Sequence, residues 1–465
     1  MRPSEARPKR RLSLFCQNVN FDLTDIDITV EKITQQISSG EKNKFVALFE
    51  FNRFNIDYIN QMRIKKSMKN EKISIIEIIP SKDYIAAKEK AEKTKKEDSY
   101  ITYPTEYNKV VYTHFKRTAG DEGLEMINSD VISNQRSAFG YVLSQISKNL
   151  INGRFTLAYS LPISVFDCRT SMEFFAWNLQ LIPKRIVKCI DDKCDIVERL
   201  KQLTVFLITM NRINLPYMNP LLPTLGETFQ CQIEDIKCYF ETTKVNPPIF
   251  NFYLFNQHFK AYGHWYLSQT QGANSMINDS CGEFKVTFMK DNEEFKFTLC
   301  TFSIFGILFG KNTVSLRNNI TVSHEKSGMI SCINLNPVSS GFFGWFGGNK
   351  AMPDAFNGFI AHKDEINFDS SSNVYSMKEG KKPIGNFTGE WSEEIKYNDK
   401  VVWTKSEDDV LSKMKKMEYT LPSDSLFRED SLFLRAKDET HGEEAKAMIE
   451  EAEKADEYLR EEFNK

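Results

Sequence analysis

From Phe229 to about residue 405 the chain alternates apolar and polar residues with period two, and turn residues break the pattern at short intervals. "EFKVTFMK" sets Phe284, Val286 and Phe288 on one face of a strand. "EFKFTLCTFSIF" does the same for Phe295, Phe297 and Leu299, with a switch of face near Cys300 and Thr301. "MISCINLNP" and "FNGFIAHKDEINF" continue the pattern. No helical stretch is interleaved, which argues against a parallel sheet, whose strands need long crossovers. A large antiparallel meander is the reading that fits. The 36 phenylalanines can pack a sandwich core or line a cavity, and composition alone favours the filled core.

Inside this region, "YFETTKVNPPIFNFYL" (Tyr239 to Leu254) puts Pro247 and Pro248 directly before a strand. Neither proline donates a backbone hydrogen bond, so full pairing begins only after them. A charged stretch with Glu241 and Lys244 leads into the pair.

At 465 residues the chain exceeds one typical domain, although a large barrel can occupy most of such a length. With 41% hydrophobic and 27% charged residues it is globular in composition. A net charge of −2 gives no global field toward nucleic acid or anionic membrane, so no nucleic-acid partner is expected and electrostatic recognition must come from local clusters. The longest apolar run, "CTFSIFGILFG", is too short to span a bilayer and suits a buried strand. "MRPSEARPKRRLSLFC" has a basic cluster without an apolar core behind it and reads as a solvated arm rather than a signal peptide. Nine cysteines, none in a CxxC pair, lack histidines at zinc-like spacing, so no metal is expected and the thiols read as reduced inside the cell. Six scattered histidines, with no nucleophile elbow and no phosphate loop, assign no catalytic residue; a non-enzymatic chain is expected.

Residues 1–100 contain strand-like "KFVALFEF" and "KISIIEIIP", then a charged helix or linker, "SKDYIAAKEKAEKTKKEDS". An accessory domain and a partly ordered extension both remain open for this region. In "NQRSAFGYVLSQISKNLINGR", Phe139, Val142, Leu143, Ile146 and Leu150 form one apolar stripe at helical spacing, over about 133–152. Such a helix can be packed permanently or can act as a hinged cover. A second helical region, about 171–212, concentrates its apolar residues in "LTVFLITM". "GFFGWFGG" carries Phe342, Phe343, Trp345 and Phe346 among glycines, as a loop folded on the barrel or a wedge for the membrane interface. On the final helix Lys446, Glu450 and Lys454 stand at i, i+4 and i+8, a spacing that usually marks a solvated face worth tenths of a kcal/mol.

Several blocks, in order and spacing, resemble the oxysterol-binding protein family. "NPLLPTLGETFQC", with Leu225, Gly226 and Glu227, is similar to its NPxLGE-type segment. "ETTKVNPP" stands where the family has EQVSHHPP, with Glu241, Pro247 and Pro248 matched and Val245-Asn246 replacing the two histidines. "KNLINGRFTLAYSLPISVF", "FTGEWSEEI" and "LPSDSLFRED" extend the resemblance over roughly 130–465.

The resemblance implies a mainly β fold: a large, near-closed antiparallel barrel with an apolar lipid tunnel and an N-terminal amphipathic lid. A helical segment would precede the barrel (about 227–405), and a C-terminal helical part would cover about 406–465. It implies an intracellular carrier of a sterol or another single lipid, peripheral to membranes and cytoplasmic, with no cofactor beyond the bound lipid. No protein partner is named by it. A lipid-responsive sensor that binds without net transfer is the alternative. Moving a lipid through water exposes apolar surface at about 25 cal/mol per Å², and a lidded tunnel removes that cost without chemistry.

In the family the histidine pair, a lysine after LGE and a Lys-Glu-Arg ladder on the last helix hold phosphatidylinositol 4-phosphate. Here the ladder maps to Lys446, Glu450 and Lys454, the lysine after LGE to Gln232, and the histidines to Val245 and Asn246. Each charge-assisted donor is worth roughly 1.5–3 kcal/mol, so losing three should weaken phosphate binding on the order of 10³-fold or more. A bulged strand could bring Lys244 into the vacated space, since neighbouring strand residues otherwise face opposite ways.

Overall fold

The structure, a computed structural model, describes residues 62–65, 75–78, 101, 115–121, 123–133, 135–137, 140–141, 161–190, 194–213, 219–245, 247–335, 352–408, 411–417 and 420–464. The lid stripe from Phe139 to Leu150 (apart from the backbone at 140–141), the aromatic loop at 342–346, Asn246, "KFVALFEF" and the charged segment after residue 80 lie outside the described residues.

The strands are β1 Met62–Lys65, β2 Ile75–Ile78, β3 Phe115–Lys116, β4 Leu124–Met126, β5 Phe166–Thr170, β6 Asn219–Leu221, β7 Thr228–Ile233, β8 Ile236–Val245, β9 Pro248–Phe255, β10 Phe259–Gln271, β11 Ser275–Phe288 and β12 Glu293–Thr298. They continue as β13 Thr301–Phe305, β14 Thr313–Arg317, β15 Asn319–His324, β16 Met329–Leu335, β17 Ala355–His362, β18 Ile366–Asp369, β19 Val374–Met377, β20 Gly385–Glu390, β21 Glu394–Tyr397, β22 Lys400–Thr404 and β23 Met414–Lys416. The principal helices are α1 Ser171–Asn178, α2 Ile182–Ile186, α3 Ile196–Ile213, α4 Glu429–Arg435 and α5 Glu439–Asn464.

The main sheet is antiparallel throughout. It runs β23–β7–β8–β9–β10–β11–β12–β15–β16–β17–β20–β21–β22, and a branch leaves the long β11 through β13, β14, β4 and β3. Its edge strands, β22 and β23, are consecutive in the chain, so the sheet curls into a near-closed barrel. No ladder register joins those two edges among the described residues. Ile101 lies along the β23 edge, its N–H donating to the Met414 carbonyl at 2.8 Å. The alternation read from the sequence decides which face is inside: Phe284, Val286, Phe288, Phe295 and Phe297 are all buried, while Lys285 and Lys296 on the opposite face are partly exposed. Cys300 falls in the break between β12 and β13, where the change of face was expected.

The helices fill part of the barrel. Thr170 caps α1, accepting from the Glu173 N–H, and Asp195 accepts from the Glu198 N–H at 2.7 Å to start α3. From Leu203 to Met210 every residue of α3 is buried, so "LTVFLITM" is a helix apolar all round because it is surrounded. Its two threonines bond within the helix, Thr204 to the Leu200 carbonyl at 2.6 Å and Thr209 to that of Phe206 at 3.1 Å. α3 packs on β15, β16 and β17, and α1 packs on β7 and β8. Among the described residues no helix is long and apolar enough to cross a membrane.

Candidate functional site in the barrel interior and at its rim

One part of the interior is solid. Phe175 of α1 lies against five rings: Phe252 at 5.1 Å between centroids, Phe250 at 5.5 Å, Trp265 at 5.8 Å, and Phe240 and Phe284 at 6.4 Å. Phe206 of α3 meets Phe284 edge-on at 6.3 Å. All of these phenylalanines are buried, and edge-to-face contacts of this kind add about 0.5–1.5 kcal/mol beyond area burial.

Beyond this cluster the interior changes. The β10–β11 register is uninterrupted from Phe259↔Phe288 to Gln271↔Met276, so inward positions continue as Trp265 and Leu267 on β10 and as Gly282, Ser280, buried Asn278 and Met276 on β11. Trp265, Leu267, Ser280 and Met276 are only partly buried, and Gly282 is exposed. The barrel is therefore filled where α1 and α3 pack, and further along the same strands most inward residues are partly exposed.

The double proline closes a hairpin. Val245 pairs with Pro248, the turn passes through exposed Pro247, and the β8–β9 register shifts between Thr242 and Lys244. This bulge sends Lys244 to the exposed face, opposite Ile249 and in line with Glu241 and Asn251. Val245 then shares the inward face with Pro248 and Phe250. The bulge exists, and it turns the Lys244 side chain outward.

The LGE turn is tied to the same end of the barrel. Gly226 at φ +76° allows the turn, its N–H donates to the Thr242 carbonyl at 2.8 Å, and the Thr242 N–H donates back to the Glu227 carbonyl at 2.9 Å. The Glu227 carboxylate is buried. It accepts from the Thr224 N–H at 2.8 Å and from Arg428 Nη1 at 3.0 Å. Arg428 also forks onto Asp430 at 3.0 and 2.8 Å and donates to the Leu222 carbonyl at 2.7 Å.

Sequence reasoning matched the block "LPSDSLFRED" without assigning its side chains; they form the rest of this network. Asp424 accepts from the N–H groups of Gln230 and Leu426 at 2.8 and 3.0 Å. Ser425 donates to Glu173 at 2.6 Å, Arg435 pairs with Glu173 at 3.3 Å, and Ser431 donates to the Cys168 carbonyl at 2.6 Å. The sequence signal was the density of short polar residues in a block leading into a helix.

One guanidinium here faces two buried carboxylates, Glu227 and Asp430. Burial pushes the Glu227 carboxyl up to about 7 against the opposing pull of Arg428, and burial also raises Asp424 well above the usual carboxylate range. A carboxyl raised on folding stabilises the native state fully below its unfolded pKa, here 4.5, and that contribution is lost as pH rises through about 7. Unfolding free energies from urea titrations should therefore be lower at pH 8 than at pH 5.5. The Glu227→Gln variant should lack roughly 2–3 kcal/mol of that slope; an identical slope in both proteins would contradict the assignment.

The ladder on α5 is not a solvated face at its first rung. Lys446 is buried, its Nζ 2.7 Å from Glu450 and 5.6 Å from the Phe166 ring centre, whereas Lys454 is exposed. α5 is anchored beside it by Glu443, which accepts from the Ile163 N–H at 2.5 Å. Gln232 lies elsewhere: it pairs with Lys237 on β8 and Lys415 on β23, while the Thr228↔Glu241 pair marks the LGE end. The two positions are four steps apart along the strand, about 13 Å. The structure thus joins Gly226, Glu227 and Thr242 beside the Pro247–Pro248 hairpin, and it leaves Gln232 at the far end of β7. Among the described residues no group of three His, Cys, Asp or Glu is placed to hold a metal ion.

A family model for oxysterol-binding protein matches residues 143–465. The chain belongs to the oxysterol-binding protein family. It is 24% identical over 242 residues to oxysterol-binding protein 9 of Dictyostelium discoideum, covering 51% of this chain and 56% of that one. It is 24% identical over 257 residues to oxysterol-binding protein-related protein 8 of Mus musculus, covering 50% of this chain and 26% of that one. The matches thus span about half of the first relative's length and a quarter of the second's. The solved Osh1 ORD domain in complex with ergosterol superposes with a TM-score of 0.52 at 15% identity, covering 66% of this chain and 77% of that one. The same domain in complex with cholesterol gives a TM-score of 0.51 at 16% identity, with 66% and 76% coverage. The large antiparallel barrel expected from the resemblance is the family fold.

Proposed function

We propose that this chain takes one lipid into its barrel and carries it between membranes without chemical change, as a cytoplasmic protein that touches membranes peripherally. The observation that supports this most directly is the inward face of β10 and β11, where Trp265, Leu267, Ser280 and Met276, beyond the Phe175 cluster, are left partly exposed within a barrel of the oxysterol-binding family. Burying a lipid there removes about 25 cal/mol per Å² of apolar exposure, which is the free energy a carrier must supply. Sterol is the first cargo to test, since the Osh1 domain of the same fold was solved with two sterols.

Recognition of phosphatidylinositol 4-phosphate is weakened in this reading. Val245 and Asn246 replace the histidine pair, Gln232 is remote from the hairpin, Lys244 points outward, and the Lys446 ammonium is already engaged by Glu450. Sterol transfer between liposomes should change by less than about threefold, under 1 kcal/mol, when this phosphoinositide is added to the acceptor. Strong exchange driven by the phosphoinositide and unaffected by Lys244→Ala would refute weakened recognition. Lipid binding without movement between liposomes would identify a sensor instead of a carrier.

A further inference from the structure

The boundary between the filled and open parts of the barrel falls on one residue. Of the five rings around Phe175, four are buried phenylalanines; the fifth, Trp265, is only partly buried. One side of its indole is held by Phe175 at 5.8 Å and Phe250 at 5.2 Å. Its cross-strand partner on the inward face is Gly282, which brings no side chain against the ring. Of the further inward positions, Leu267, Ser280 and Met276 are partly exposed and Asn278 is buried.

We propose that Trp265 is the floor of the cargo chamber, so that the deep end of the bound lipid rests on its indole and the ring sets how long a cargo can enter. The inference rests on the lipid-carrier reading above. Packing makes the assignment specific: the phenylalanine cluster beneath is close-packed and cannot yield without opening a void, whereas the indole keeps a partly exposed side that a lipid can cover. Trp265 is therefore a specificity-determining residue, and it acts through length. Each methylene that finds room is worth about fourfold in affinity.

The test loads the purified full chain with a side-chain-brominated sterol or with phosphatidylcholine brominated at the chain ends, and reads tryptophan fluorescence, which bromine quenches only at close range. Native mass spectrometry measures loading separately. Wild type should be quenched. Trp265→Phe, which keeps a ring against Phe175 and Phe250, should load equally and lose the quenching. Trp265→Ala should shift competition among acyl-chain lengths toward longer chains, by about fourfold per added methylene that fits. Equal quenching of wild type and Trp265→Phe at equal loading overturns the floor while leaving the carrier reading intact. Failure of wild type to load either probe overturns both.

Discussion

Replacing Arg428 with leucine is expected to cost about 3–5 kcal/mol, the range for removing one partner from a buried ion pair. The guanidinium serves three acceptors at once: Glu227, Asp430 and the Leu222 carbonyl. Its loss leaves two carboxylates buried without their cation, and the group best able to respond is Glu227, which can take up a proton because its pKa is already near 7. The double variant Arg428→Leu/Glu227→Gln should recover part of the loss, roughly 1–2 kcal/mol, since a neutral amide is cheaper to bury than a carboxylate. For a domain held by about 5–15 kcal/mol, the single variant should be partly unfolded at 37 °C. Urea denaturation within 1 kcal/mol of wild type would show that this cluster does not fasten α4 and the LGE turn to the barrel.

Gly282→Ala should be nearly as damaging, by a different route. Gly282 has φ +122°, outside the region open to other residues, and a Cβ there would sit 2.0 Å from the His264 carbonyl oxygen on the paired strand. Backbone strain and overpacking each cost about 1–3 kcal/mol, so a loss of roughly 4 kcal/mol is expected. Gly263, close by on β10, makes a similar approach, with a built Cβ 1.8 Å from the Glu283 carbonyl oxygen. The two glycines let the paired backbones of β10 and β11 approach closely beside Trp265. Gly310→Ala is the control: φ is +81°, but nothing lies within 4 Å of its Cβ, so it should lose only the strain, about 1 kcal/mol. Equal losses at the two positions would remove the close approach as the cause.

Much of the fold was legible because strand and helix periods are local properties. The alternation put the Phe284–Phe288 and Phe295–Phe297 rings on one face, which is the buried one, and "LTVFLITM" lies in the helical region read from the sequence, where every one of its residues is buried. The site was less legible. Lys446, Glu450 and Lys454 have the spacing of a solvent-facing ladder, yet Lys446 is buried because α5 docks beside Phe166 and Ile163, residues some 280 positions away in sequence. Gln232 follows LGE by only a few residues, but strand pairing carries it away from the hairpin.

The sequence by itself determined a mainly β chain, the common face of Phe284, Val286 and Phe288 and of Phe295 and Phe297, the helical region with its apolar cluster, and the blocks that identify the family. Tertiary structure alone decided what those inward faces meet. Phe240, Phe250, Phe252 and Phe284 are buried against Phe175, Trp265 touches the same ring yet stays partly exposed, and Glu227 finds its cation 201 residues later. The physical reason is that a side chain's direction follows from its own backbone, while its burial and charge state follow from whichever distant segment packs against it.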